Sequence, residues 1–126
     1  MNINISNGEL LDKLSILEIK IKNIKDPQKN QNIFKEYSHL KAFANEISID
    51  PKIGSLYNDL LNINEVLWKI EDEIRECEKS KEFGKKFIEL ARNVYFTNDR
   101  RFEIKQEINK ITNSDLIEEK SYTQYN

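Results

Sequence analysis

The sequence predicts an all-α fold, an antiparallel four-helix bundle with a short C-terminal helical tail, forming one domain over residues 1–126. Three observations carry this. Punctuation is sparse: 3 Gly and 2 Pro stand in 126 residues while 33% are charged, a composition of long helices rather than of a turn-rich sheet. Four stretches repeat apolar residues at spacings of three and four, the period of an amphipathic helix. Helix-end signals separate them, a capping box at Ser6–Glu9 and the dipeptides Asp26-Pro27 and Asp50-Pro51. A chain of this length buries roughly two-thirds of the surface its unfolded form exposes, enough to dispense with disulfide or metal staples.

The first helix starts at Asn7, behind the Ser6 cap. Leu10, Leu14, Leu17, Ile21 and Ile24 form one face, and Leu11, Ile16 and Ile19 fall elsewhere on the wheel. A helix apolar nearly all round is central in its fold, so Lys13, Glu18 and Lys22 become candidates for partial burial, with Glu18 and Lys22 also spaced as an i, i+4 pair. Asp26-Pro27 stops the helix. The second helix is expected from about Lys29 to Ile49, with a seam of Ile33, Tyr37, Leu40, Ala44 and Ile47 and with His39 off that seam. Asp50 and Pro51 suit the N-cap and first turn of the third.

The third helix, to about Lys79, carries two stripes. Leu56, Leu60, Ile63, Leu67, Ile70, Ile74 and Cys77 make an oily seam. Beside it run Tyr57, Leu61, Asn64, Trp68, Glu71 and Arg75, polar and aromatic. Ser80-Lys81-Glu82 reads as a short connection, so the fourth helix returns antiparallel. Its seam is Phe83, Phe87, Leu90, Val94, Thr97, Arg101, Ile104, Ile108 and Ile111, unbroken or only kinked at Thr97–Asp99, with Asn113 as its C-cap.

Several functions are disfavoured. A net charge of −2 does not suit a nonspecific nucleic-acid binder. One Cys and one His cannot build the usual zinc site. Glu73 and Glu76 have the i, i+3 spacing of a helical carboxylate pair but sit away from the apolar seam, on a solvated face. Gly8, Gly54 and Gly84 are isolated, so no phosphate-cradling loop exists, and His39 lacks a partner for nucleophilic catalysis. No cofactor is expected. Cys77 reads as a small buried hydrophobe in a reduced protein. The N-terminus lacks the pattern of a secretory signal, and no run approaches the ~20 apolar residues of a membrane span, so a soluble, cytoplasmic protein is expected.

The polar–aromatic stripe survives these eliminations. A turn near residues 80–81 would set Asn64 beside Thr97 and Asn98, Trp68 near Arg92 and Asn93, and Glu71 near Leu90 and Ala91. Glu71 and Arg75 pair at i, i+4, Arg92 could reach their layer, and Tyr95, Asn98, Asp99, Arg101 and Lys105 extend the cluster. Such a cluster is either a closed polar layer that fixes helix register or a pocket for a ligand or partner. Tyr122 and Tyr125 end a tail too apolar to be idle, which docks on the bundle or serves as a partner-binding peptide.

Four segments taken together, GELLDKLSILEIK at Gly8–Lys20, LWKIED at Leu67–Asp72, FIELARNVYFTNDRRFEIKQEIN at Phe87–Asn109 and EEKSY at Glu118–Tyr122, resemble a family of small bacterial proteins of unknown function, often encoded near glycosyltransferases of surface-polysaccharide assembly. The resemblance spans nearly the whole chain except the second helix and its flanking loops. It implies that Glu18, Lys20, Trp68, Glu71, Asp72, Arg75, Arg92, Tyr95, Asn98, Asp99, Lys105, Glu119, Lys120 and Tyr122 match the family pattern. The expected function is a non-catalytic helical interaction module with a protein partner, accessory to surface-glycan or glycosyltransferase machinery. The alternative is a small all-α enzyme or binder of an anionic metabolite or nucleotide at Trp68, Glu71, Arg75, Arg92 and Lys105. A homodimer through the apolar surface of the first helix is a third reading.

Overall fold

The computed structural model describes residues 1–47 and 50–125. Four helices follow one another, α1 (Asn7–Asn23), α2 (Pro27–Ala44), α3 (Pro51–Ser80) and α4 (Lys85–Ile111), and pack as a four-helix bundle. The caps are those the residues dictate. Ser6 Oγ accepts from the Glu9 amide at 3.1 Å, and Asp50 accepts from the Lys52 amide at 2.9 Å ahead of Pro51. Asp26-Pro27 does more than stop α1. Asp26 accepts from the Lys29 amide and Pro27 takes the first turn of α2, since a fixed φ and a missing N–H cost nothing there. α2 therefore starts two residues earlier than expected and ends at Ala44; the expected end at Ile49 lies outside the described residues.

α3 and α4 both end in the paired hydrogen bonds of a Schellman turn. Glu82 N donates to Cys77 O and Lys81 N to Glu78 O around a left-handed Lys81. Ser114 N donates to Asn109 O and Asn113 N to Lys110 O around a left-handed Asn113. Between the long helices, residues 81–84 form the connection, so α4 begins at Lys85 and the α3–α4 register moves by about one helical turn from that expected. α4 runs unbroken through Thr97–Asp99. Beyond Ile111 no helix forms among the described residues, correcting the expected helical tail; residues 115–125 run back along α4 as a non-helical strap.

α1 is the hub. It contacts all three other helices, and α2 contacts α1 alone among the helices. Most of the oily α3 stripe is core: Leu56 and Leu60 pack with Leu11, Ile104 and Ile108, and Ile70 and Cys77 with Leu90, while half-buried Leu67 joins neither cluster. Leu14, Leu60, Ile104 and Ile108 are fully buried, each contributing about 1.5–3 kcal/mol against its exposed state. Most of the apolar surface of α1 is thus used inside the chain. His39 is exposed on α2, edge-on to Phe43. Lys13 and Lys22 are exposed, not partly buried; Glu18 is half-buried. The pair expected between Glu18 and Lys22 is replaced: Glu18 receives the Tyr37 hydroxyl at 3.4 Å and Lys22 reaches Glu65 at 3.6 Å.

A close approach lies at the start of α1, where Gly8 N donates to Asn109 Oδ1 at 2.6 Å. A Cβ on Gly8 would stand 2.5 Å from the Lys105 carbonyl oxygen, a backbone atom that cannot step aside. Gly8→Ala is expected to lower stability by about 1–3 kcal/mol, the range for overpacking. Gly54→Ala, where nothing lies within 4 Å of the added carbon, should raise it by about 0.5–1 kcal/mol through helix propensity. Urea denaturation of both variants checks the contrast.

Candidate functional site

The polar core of the site is set by one residue that the sequence reading did not single out. Asp12, in the second turn of α1, has no exposed surface. Its carboxylate accepts from Arg101 Nε at 3.0 and 3.1 Å and also from Arg101 Nη2. Asn64 Nδ2 adds a donor at 2.8 Å, and also donates to Ser15 Oγ at 2.8 Å. Ser15 in turn donates to the Asp12 carbonyl at 2.7 Å. A buried carboxylate survives only when its lone pairs are met in this way. A polar layer therefore does exist, but its members are Asp12, Ser15, Asn64 and Arg101.

The layer proposed from Glu71, Arg75 and Arg92 does not close. Glu71 and Arg75 pair at 3.8 Å with side chains 53% and 80% exposed, a contact worth little in water. Arg92 points away and lies over the Phe96 ring at 5.5 Å. The one-turn shift in register brings Val94, Asn98 and Arg101, rather than Arg92 and Asn93, to the Trp68 side. There a groove of about 580 Å³ opens, lined from α1 by Ile16 and Ile19, from α3 by Asn64, Leu67, Trp68, Glu71, Asp72 and Arg75, and from α4 by Val94, Asn98 and Arg101. Its origin is a length mismatch. The 17 residues of α1 span about 25 Å and the 30 of α3 about 45 Å, so α1 ends partway along the α3–α4 pair and leaves their junction open.

Arg101 and Asn98 also line a second cavity, of about 270 Å³, with Glu9, Phe102, Lys105, Glu118 and Lys120. Lys105 is 7% exposed at its side chain and lies 3.0 Å from Glu9, 3.0 Å from Glu118 and 4.0 Å from Asp12. Burial by itself would lower its pKa; the Glu118 and Glu9 carboxylates outweigh that and hold it above the ordinary 10.5. Burial likewise opposes the Arg101 charge, and Asp12 outweighs it. Lys120 sits over Phe102 at 5.3 Å and Tyr122 at 5.4 Å. Tyr125 donates to Asp99 and packs edge-on against Tyr95 and Phe96, so the strap docks on α4 as one sequence reading expected. Glu119 is exposed.

Of the candidate residues, the structure gathers Asn64, Trp68, Glu71, Asp72, Arg75 and Asn98 at the groove and Lys105 and Lys120 at the second cavity. Arg92, Tyr95 and Asp99 stand outside both, on the strap-bearing side of α4 or beside it. The residue missed, Asp12, had a signal. In a helix apolar nearly all round, an acid flanked on one face by Gly8, Ser15 and Ile19 has nowhere to go but inward. A second, half-buried set places Glu18, expected to be partly buried, with the phenols of Tyr37 and Tyr57, which the sequence did not connect to it. Tyr57 is held neutral, its pKa raised well above 10 by burial first and then by the Glu18 charge, and Tyr37 is raised by the same causes.

Removing Arg101 strands a fully buried carboxylate, whereas removing the Asp12 charge leaves a guanidinium still 26% exposed to water. Arg101→Met should therefore cost about 3–5 kcal/mol and Asp12→Asn only about 1–3 kcal/mol, with the double variant costing less than the sum; denaturant titration of the three gives the cycle. The phenols supply a pH test. Their folded-state pKa values exceed the unfolded value near 10, so the stability of keeping them protonated is complete below pH 10 and is lost as pH rises toward the folded values. Tyr57→Phe should flatten the fall of stability between pH 10 and 11, measured by urea midpoints.

Among curated proteins and among solved structures, none matches this chain. A family model does, across residues 1–125, and its description is a family of unknown function, DUF6165. With that match over nearly its full length, the chain is a member of the DUF6165 family.

Proposed function

We propose that this protein is a non-catalytic binding module whose groove between α1, α3 and α4 takes a small molecule presenting a ring face to Trp68 and a hydrogen-bond acceptor to Arg101. The observation that carries this reading is the posture of Arg101. Asp12 grips its Nε and Nη2 from within, while its remaining edge faces Asn98 at 3.4 Å and lines both cavities. A guanidinium held from behind and open in front is preorganised for a planar acceptor such as a carboxylate, phosphate or amide.

The other lining groups suit recognition. Trp68 supplies a flat apolar face. Asn64, Asn98, Glu71 and Asp72 supply the mixture of donors and acceptors that hydroxyl groups can meet. An apolar ring face bordered by such groups is what a sugar or nucleoside asks of a surface, in keeping with the surface-glycan setting that the resemblance implies. Binding rather than turnover is supported by the groove lining, which holds no histidine, thiol or hydroxyl nucleophile.

Trp68 is the sole tryptophan, so its emission reports the groove directly. Titration with monosaccharides, sugar phosphates and nucleotides should give a saturable change with at least one class. Arg101→Lys, which keeps the charge beside Asp12 but not the fork, should weaken that binding about tenfold, or 1.4 kcal/mol. No saturable emission change and no thermal shift across the panel would refute the reading, and so would chemical conversion of a ligand by the protein alone.

A protein-docking role has its own support. Ile88, Tyr95 and Phe96 are 55%, 43% and 39% exposed on α4, and apolar groups exposed together mark interaction surfaces. Ile88→Glu should abolish any self-association seen by light scattering if this face is used.

A further inference from the structure

We infer that Glu118 occupies the seat of a ligand's anionic group: the cup formed by Lys105, Arg101 and Lys120 binds a phosphate or carboxylate of the molecule whose ring lies on Trp68, and Glu118 gives way to it. The inference rests on the groove reading, because Arg101 and Asn98 line both spaces and would be touched by both ends of one ligand.

Three features of the cup support it. Its cations are built in without the strap's acid. Lys105 is buried and held by Glu9 at 3.0 Å, Arg101 is held by Asp12, and Lys120 is kept at the rim by the Phe102 and Tyr122 rings. Glu118, by contrast, is poorly seated. Its side chain is 36% exposed, its Oε1 pairs with Lys105 Nζ at 3.0 Å without well-aligned hydrogen-bond geometry, and its neighbours Ile117 and Glu119 are exposed. A part-exposed carboxylate held by one ion pair gives up little when it turns out to water, so a better-shaped oxyanion can take its place.

Charge points the same way. With Glu118 in place, Glu9, Asp12 and Glu118 balance Arg101, Lys105 and Lys120; with its carboxylate turned out, the cup carries one positive charge in excess. A carboxylate restores neutrality, and a phosphate more than offsets the excess, in a partly buried site where an unpaired charge is expensive. Lys120 stays with the cup in this exchange, because the Glu118 side chain moves and the strap's aromatic ties remain.

Calorimetric titration of the full chain with inorganic pyrophosphate, and separately with succinate, tests the inference. Glu118→Gln is expected to bind at least one of these probes about fivefold tighter than the wild type, a factor within the range of one ion pair. Lys120→Gln is expected to bind it about fivefold weaker. A gain with pyrophosphate alone assigns a phosphate, a gain with succinate alone a carboxylate, and a gain with both an oxyanion of either kind. Equal affinities in wild type and E118Q, or no binding by either, overturn the inference. Both substitutions lie on the strap, outside the helices, so the fold is not at stake. The two readings separate cleanly. A neutral sugar or nucleoside that shifts Trp68 emission while E118Q leaves anion affinity unchanged spares the groove and sinks the cup. Tighter anion binding in E118Q with a silent Trp68 across the ring ligands does the reverse.

Discussion

The rest of the molecule depends on satisfying one buried carboxylate. Asp12 has no contact with water, and an ionised carboxylate moved into a protein interior loses several kcal/mol of solvation that only close, well-directed donors return. Those donors come from α3 through Asn64 and from α4 through Arg101. Meeting them fixes α1 against two helices at once. A slide of α1 by one turn would carry the carboxylate about 5 Å from its partners, a penalty larger than any single apolar contact could offset. Hydrophobic burial drives α1 into the bundle, and Asp12 decides where along the bundle it stops.

That stopping point creates the groove. α1 is too short to cover the α3–α4 pair, and with its start pinned at Asn109 and its second turn pinned at Arg101, its end falls short beside Trp68. Ile16 and Ile19 then form one wall while Asn98 and Arg101 form the other. The same interaction that specifies the packing also orients a guanidinium toward open space. Structural and functional accounts of Arg101 are therefore not rivals; Asp12 supplies the rigidity that would make Arg101 selective.

Much of this was legible in the residues. Helix phase, the caps at Ser6 and Asp50, the oily α3 stripe and the centrality of α1 all follow from local chemistry acting within a few residues. The α3–α4 register was not, because it hangs on where the turn is centred: moving it from residues 80–81 to 82–83 shifts the facing positions by about four, and the left-handed Lys81 that ends α3 carries no glycine to announce it. That difference of about one turn moved Arg92 out of the Trp68 layer and Arg101 into it. The strap was half legible. Its aromatics implied docking, but the helix expected for it would have needed its own apolar stripe, and residues 115–125 instead spend their side chains singly, on Lys105, Phe102 and Asp99. The Asp12 layer was hidden for another reason: a charged residue is by default read as solvent-facing, and in a helix with no solvent face that default fails.

The start of α1 joins these threads. Gly8 brings the helix backbone against the Lys105 carbonyl, and Asn109 receives its amide. The next residue, Glu9, then stands where its carboxylate meets the Lys105 ammonium, and one turn on, Asp12 meets Arg101. Two cations on α4, spaced four apart and so on one face, are thereby each held by an acid from α1 with the same spacing discipline, three apart. Paired helices that share acids and bases in this way present their cations at fixed positions rather than on mobile stems, which lowers the entropy a ligand must overcome to engage them. A side chain wider than hydrogen at Gly8 would push α1 off α4 at that point and loosen both pairs together. The glycine therefore belongs to the cup and the groove as much as to the fold, although it lines neither.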